Sequence, residues 1–221
     1  MEDRRLQSAQ RCRGGTRTGS RGQERKGNCM SAQTTVRGMR FAAGAWLVWL
    51  MAPASSLAES YKVDPVHSFV LFRIKHMGIG QAYGRFNQSS GTFSIDESDP
   101  AKCAIDVTVK AESVDTGNAK RDSHLKSPDF FNAKEFPTIK FKSKTFTKTG
   151  ERMYDVEGEL TLHGVTKPIA VKVEHIGTAN DKAGIEATFT VKRSEFGMTF
   201  GLDNGSLGDE VTVRVGLEGG K

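Results

Sequence analysis

Arg121-Asp-Ser-His-Leu-Lys-Ser-Pro-Asp-Phe-Phe-Asn-Ala-Lys-Glu-Phe-Pro-Thr-Ile-Lys-Phe-Lys-Ser143 changes its period halfway along. The first half predicts a short helix, with Arg121, Asp122 and His124 crowded ahead of Leu125. Ser127 stands where a helix cap would accept a free N–H, and Pro128 follows at the position where its missing donor costs nothing. Phe130 and Phe131 then complete that turn with two large rings. Beyond Pro137 the period is two: Ile139 and Phe141 face one way, Lys140, Lys142 and Lys144 the other. A helical plug bearing charge and aromatics therefore leads directly into an amphipathic strand.

Outward from this stretch the alternation continues in both directions. Upstream, Val70, Phe72, Ile74 and His76 share one face from Ser68 onward, and Gly78 and Gly80 interrupt. Ala82 to Gln88 and Thr92 to Asp96 read as one strand bent around Gly91, or as two short ones. Cys103, Ile105, Val107, Val109 and Ala111 follow as a clean apolar face. Downstream, Tyr154 to Leu162, Ile169 to Val173, Ile185 to Arg193 and Val211 to Leu217 repeat the pattern, with Asn180 to Gly184 a turn and Gly197 to Gly208 a glycine-rich loop. With the bent segment counted once there are eight strands, joined mostly by short turns. The fold class expected is all-β: an eight-stranded antiparallel barrel, because a meander of this kind removes its exposed edges by closing. A sandwich is the competing arrangement. The short helical insertion falls between the fourth and fifth strands when the bent segment is counted as its two halves. Inward positions carry more Val and Ile than bulkier side chains, which leaves room for a slender apolar guest beneath a cap of Phe130 and Phe131.

Charge divides the chain. Residues 1–58 hold ten of the 32 basic and three of the 26 acidic side chains, a net of +7, which leaves 22 basic against 23 acidic in 59–221, a net of −1. The basic excess therefore belongs to the N-terminal piece, and the near-neutral remainder argues against a nucleic-acid partner. Residues 1–38 read as a disordered basic extension, with Met30 or Met39 as alternative translation starts. Residues 39–58 have the form of a cleaved signal peptide: Met39-Arg40, an apolar run from Phe41 to Ala54, and small residues at Ser56 and Ala58. Residues 59–221 are the barrel domain, and the expected location is the periplasm. Cys12 and Cys29 fall in the discarded region, so Cys103 stands alone and reads as a buried, inert thiol.

No nucleophile or metal pattern is present: the chain lacks G-x-S-x-G, C-x-x-C and H-E-x-x-H, and no two histidines are four residues apart. His76 ends an inward face, and both a structural role and a contact with a ligand head group fit it. His67 and His163 sit in turns and read as architectural. Arg121, Asp122 and His124 form a charged trio that would either fix a polar head group or tie the helix to neighbouring strands. Arg193 lies on an apolar face, where it must be paired or reach solvent, so a place at the rim opposite an Asp or Glu is expected.

These residues resemble the YceI family. The resemblance is carried by Asp64-Pro-Val-His67-Ser68, Gly84-Arg-Phe86, Ser113-Val-Asp-Thr116-Gly117-Asn118, and Ser127-Pro-Asp-Phe130-Phe131. It continues through Phe136-Pro137, Gly158-Glu-Leu160-Thr-Leu-His163-Gly164-Val165-Thr166, Arg193-Ser-Glu-Phe196-Gly197 and Gly208-Asp-Glu-Val211. It implies a lipocalin-like barrel whose interior binds a long isoprenoid chain, such as a polyprenyl quinone or a related amphiphile. The expected role is a non-enzymatic binder or carrier with no cofactor, the isoprenoid or quinone being its ligand. The candidate binding residues are Phe72, Ile74, His76, Phe86, Arg121, Asp122, His124, Phe130, Phe131, Phe141, Phe189 and Arg193. Two alternatives stand beside it: an isoprenoid-modifying enzyme with His76 or His124 as base, and an adaptor for a membrane redox partner. Transient contact with a membrane or a membrane redox protein, and a homodimer, are the further partners considered.

Overall fold

The computed structural model describes residues 58–221, which belong to one compact unit. The expected basic extension and almost all of the expected signal peptide lie outside the described residues. Eleven extended segments form a single antiparallel sheet: β1 (Ser60–Val63), β2 (Phe69–His76), β3 (Gly80–Phe86), β4 (Ser89–Ser94), β5 (Ala104–Lys110), β6 (Val114–Asp115), β7 (Thr138–Lys148), β8 (Met153–Leu162), β9 (Val165–Ala179), β10 (Lys182–Lys192) and β11 (Leu207–Gly220). β1 and β2, β3 and β4, and β5 and β6 are each one strand interrupted by a turn or break, so the eleven segments make eight barrel strands. The one α-helix among the described residues, α1 (Ala119–Leu125), lies between β6 and β7.

The sheet closes, as the meander predicted, and β1 performs the closure. Its Lys62 and Val63 pair with Gly220 and Gly219 of β11, while Ser60, Tyr61 and Lys62 pair with Ser94, Phe93 and Thr92 of β4. Four residues are too few for an alternating pattern to stand out, and this strand is absent from the sequence reading. The bent segment divides at Asn87–Gln88 rather than at Gly91. Gly91 is nonetheless constrained: with φ at 138°, a Cβ there would lie 2.1 Å from the Asp106 carbonyl oxygen.

The helix begins earlier than its sequence signals suggested. Asn118 caps it, its side-chain oxygen accepting from the Arg121 N–H at 3.0 Å. Ser127 and Pro128 open a turn instead of a second helix, with the Ser127 carbonyl accepting from the N–H groups of Phe130 and Asn132. His163 and Gly164, at φ 52° and 73°, make the tight β8–β9 hairpin. The His163 Nδ1–H donates to the Phe196 carbonyl at 3.0 Å, an architectural role of the kind expected.

One end of the barrel is solid. Tyr61, Phe93, Tyr154, Val156, Val173 and Ile185 are buried there as one packed cluster, with Tyr61 stacked on Phe93. Just outside it the buried His175 joins β9 to the segment after β4, its Nδ1–H donating to Glu97 at 2.8 Å. Cys103 is buried beside them; its sulfur accepts from the Asp96 N–H, and burial pushes the thiol pKa up, as suits an inert cysteine. Tyr154 has no exposed surface, and among the described residues nothing hydrogen-bonds its hydroxyl. A dry hydroxyl costs about 1–3 kcal/mol. Tyr154→Phe is therefore expected to stabilise the barrel by about 1 kcal/mol, raising the melting temperature by roughly 2–4 °C. A melting curve at or below that of the unaltered protein would refute this.

Candidate functional site: an apolar cavity at the open end

Inward side chains form rows across β10, β11, β2 and β3. Register places Val191, Val211, Ile74 and Ala82 in one row, Phe189, Val213, Phe72 and Gly84 in the next, and Ala187, Val215, Val70 and Phe86 in the third. Each row mixes a ring or a larger aliphatic with small β-branched residues, Ala or Gly, so the rows do not meet across the lumen. Glycine adds to the space. The Phe72 ring lies over Gly84 and that of Phe141 over Gly158, each where a Cβ would come within 3 Å of the ring. These rings consequently lie along the wall. The result is a cavity of about 740 Å³, well inside the range of small-molecule sites.

The hollow does not run the length of the barrel. The packed cluster at Tyr61, Phe93 and Tyr154 closes the other end with the protein's own side chains. On β11 the wall from Val211 to Leu217 spans roughly 20 Å of strand, or about 15 Å along the barrel axis after the usual tilt.

Eleven of the twelve candidate residues line this cavity; Asp122 does not. Phe72, Ile74, Phe86, Phe141 and Phe189 form the wall. Phe131 reaches in from the turn after α1 and meets Phe86 and Phe72 edge-on, at centroid distances of 5.3 and 6.5 Å. Phe130 stays nearer the rim and forms a cluster of rings with His124 and Phe200, all at about 5 Å. The His124 Nε2–H donates to Asp129 at 2.9 Å. His76 is exposed at the end of β2, where the cavity meets the surface together with Gln81, Tyr83 and Arg121.

Asp122 is occupied by Thr116. Its Oδ1 accepts from both the N–H and the hydroxyl of Thr116, at 2.9 and 2.6 Å. Arg121 holds the same residue from the other side, Nε donating to the Thr116 hydroxyl at 2.7 Å and Nη2 to its carbonyl at 2.9 Å. The pair ties α1 to the sheet, and Arg121 alone also borders the cavity.

Arg193 departs from expectation in two ways. β10 ends at Lys192, so Arg193 begins a 3₁₀ turn instead of continuing the apolar face. It is not on an exposed rim: only 3% of the residue is accessible. Among the described residues no carboxylate bonds it. Its guanidinium donates to the carbonyls of Gly208, Met198 and Leu207 at 2.8, 2.9 and 3.3 Å, while Asp209 accepts from the N–H and hydroxyl of Ser194. Burial pulls the guanidinium pKa below its ordinary value, with the charge of Asp209 opposing that shift.

The lining contains no Asp or Glu. Met198 and Phe200, which the sequence reading left within an undifferentiated glycine-rich loop, belong to it, as do Ile139, Leu160 and Leu162. The strand residues among these were legible from alternation. For Phe200 the only signal was that it is the one aromatic residue between Gly197 and Gly208.

A closed eight-stranded antiparallel barrel, packed at one end and hollow, apolar and helix-capped at the other, is a lipocalin-like protein. Residues 61–219 match the YceI-like domain, and the chain belongs to that family. Among its relatives is a UPF0312 protein of Photorhabdus laumondii, 40% identical over 177 residues that cover 77% of this chain and 91% of the relative. A UPF0312 protein of Serratia proteamaculans is 41% identical over the same shares. Of solved structures, BcnA of Burkholderia cenocepacia superimposes with a TM-score of 0.66 at 26% identity, covering 71% of this chain and 98% of BcnA. A polyisoprenoid binding domain from Saccharophagus degradans, implicated in plant cell wall breakdown, has a TM-score of 0.62 at 18% identity, covering 75% and 100%. That last likeness is one of fold alone.

Proposed function

We propose that this protein is an exported, non-enzymatic carrier of isoprenoid lipids, holding a polyprenyl quinone or a related amphiphile in the open half of its barrel. The observation that carries the reading is the lining itself: aliphatic and aromatic side chains on every strand wall, polar groups gathered at the open end, and no carboxylate. Such a site holds a guest by area, at about 25 cal/mol per Å² of apolar surface removed from water, and needs few polar contacts. The branched methyls of a prenyl chain suit a wall of Val, Ile and Leu interleaved with rings. The Saccharophagus degradans domain supports this choice of guest by architecture only. Export rests on the Met39–Ala58 segment, and with it a periplasmic location.

Organic extraction of natively purified protein, followed by mass spectrometry, tests the reading. Prenyl chains at near-stoichiometric amounts are the expected result. Protein that is consistently empty, and that takes up neither polyprenol nor quinone when offered, would overturn it.

A further inference from the structure

The open end carries a second feature, on its outer surface. Ile79 is 92% exposed, Tyr83 63%, Met77 57% and Phe200 45%. Three of the four lie on or beside the β2–β3 hairpin, and Phe200 projects from the loop after Arg193. Met77 and Gly78 have φ of 53° and 71°, so the three-residue tip Met77–Ile79 begins with two left-handed residues. Glycine, Asn or Asp usually fills the first of these positions, and an exposed methionine there is uncommon. The turn holds Met77 and Ile79 clear of the barrel. A hydrogen bond from the Met77 N–H to the Ser206 carbonyl, 2.9 Å long, joins the tip to the Phe200 loop. Neither Met77 nor Ile79 lines the cavity.

Charge around these apolar tips has one prevailing sign. From Pro65 to Ile95 there is no Asp or Glu, while Arg73, Lys75 and Arg85 are all present. α1 adds Lys120 and Arg121, and Lys126 follows it. Of the nearby acids, Asp122 is bonded to Thr116, Asp129 to His124 and Asp209 to Ser194, while Glu210 stands opposite Lys192 on β10, which leaves Asp203 on the loop.

We propose that the open end is a docking surface for an anionic lipid bilayer. Met77, Ile79 and Phe200 enter the boundary between headgroups and acyl chains, and Arg73, Lys75 and Arg121 lie against the phosphates. Apolar tips that ring the mouth of an apolar cavity would let a guest pass between bilayer and barrel without crossing water. This proposal rests on the carrier reading above, because it supplies the route by which such a guest enters. A second copy of the chain is a different occupant of the same face, and the experiment separates the two.

The closed ring and its core lie entirely within 58–221, so that stretch folds on its own. Both tryptophans of the chain precede it, and Ile79→Trp therefore places a single indole at the tip. With vesicles of equal parts phosphatidylglycerol and phosphatidylethanolamine, the indole emission is expected to shift to the blue and to become shielded from iodide. Raised salt should weaken the effect severalfold. In the otherwise unaltered barrel, Met77→Asp and Ile79→Asp together should lower vesicle co-sedimentation by about tenfold or more, while a dansyl-farnesyl probe offered from solution binds as before. Emission and sedimentation indifferent to vesicles, with the probe still bound, would overturn docking and leave the carrier reading standing. Docking without any probe binding would support the surface and remove the lipid guest. A blue shift that follows protein concentration, without vesicles, would overturn docking and assign the face to a second copy.

Discussion

Ala187→Trp is expected to weaken prenol or quinone binding by at least about 100-fold while leaving the barrel folded. Ala187 lines the hollow between Val173 and Val215 on the neighbouring strands. An indole there would occupy space that the guest needs. A buried tryptophan removes roughly 150–250 Å² from contact. The guest loses a comparable area, which at about 25 cal/mol per Å² is roughly 4–6 kcal/mol as an upper bound. Two factors of ten, at about 1.4 kcal/mol each, need about 2.8 kcal/mol, which is roughly half to 70% of that bound. Because the ring enters empty volume rather than packed core, the melting temperature should move by only a few degrees. Ala187→Val, which adds little bulk, should bind nearly as the unaltered protein does. Titration with a fluorescent prenol checks both, and an unchanged Kd for the tryptophan variant would mean that the guest does not sit in this hollow.

Arg193→Met should destabilise the fold by about 3–5 kcal/mol, because three backbone carbonyls lose a charged donor and hydrogen bonds to charged groups contribute about 1.5–3 kcal/mol each, less than additively. Methionine approximates the length of the arginine stem but donates nothing. The carbonyls of Gly208, Met198 and Leu207 would lose the donor that gathers them, and the loop between Gly197 and Leu207 would come away from the barrel. For a domain of this size the melting temperature should fall by roughly 10 °C, and proteolysis should begin within that loop. Arg193→Lys should fail almost as badly, since a single ammonium does not reproduce a fork spread over three acceptors. A lysine variant that melts with the unaltered protein would show that charge, rather than the fork, is what holds the loop.

Sequence and structure part company at identifiable residues. Alternation correctly assigned the inward faces of β2, β5, β8, β10 and β11, because period two is local and each of these strands has a long enough run to display it. β1 escaped notice because it has only four residues, although the ring closes through it. The cap at Asn118 was overlooked because Ser127-Pro128 offered a stronger local signal, which the fold uses for a turn instead. Arg193 was identified as a residue that burial would force into partnership, and Asp122 as one that would either meet a polar head group or tie the helix to neighbouring strands. Local sequence does not specify the partner: Asp122 found Thr116, a few residues away, whereas Arg193 found carbonyls up to fifteen residues along the chain.

The amino-acid order by itself determined an all-β chain of eight strands, one polar and one apolar face to each, and a short helical interruption bearing Phe130 and Phe131. Those properties depend on neighbours two to four residues apart. Only the tertiary structure decided which half of the barrel is solid. Tyr61, Phe93 and Tyr154 come from three separate strands and fill one end because the sheet register brings them together. At the other end the same register sets Val, Ala and Gly among the rings, and the space between them stays open. A cavity is a property of side chains that face one another across a lumen, and that pairing is settled by closure rather than by alternation.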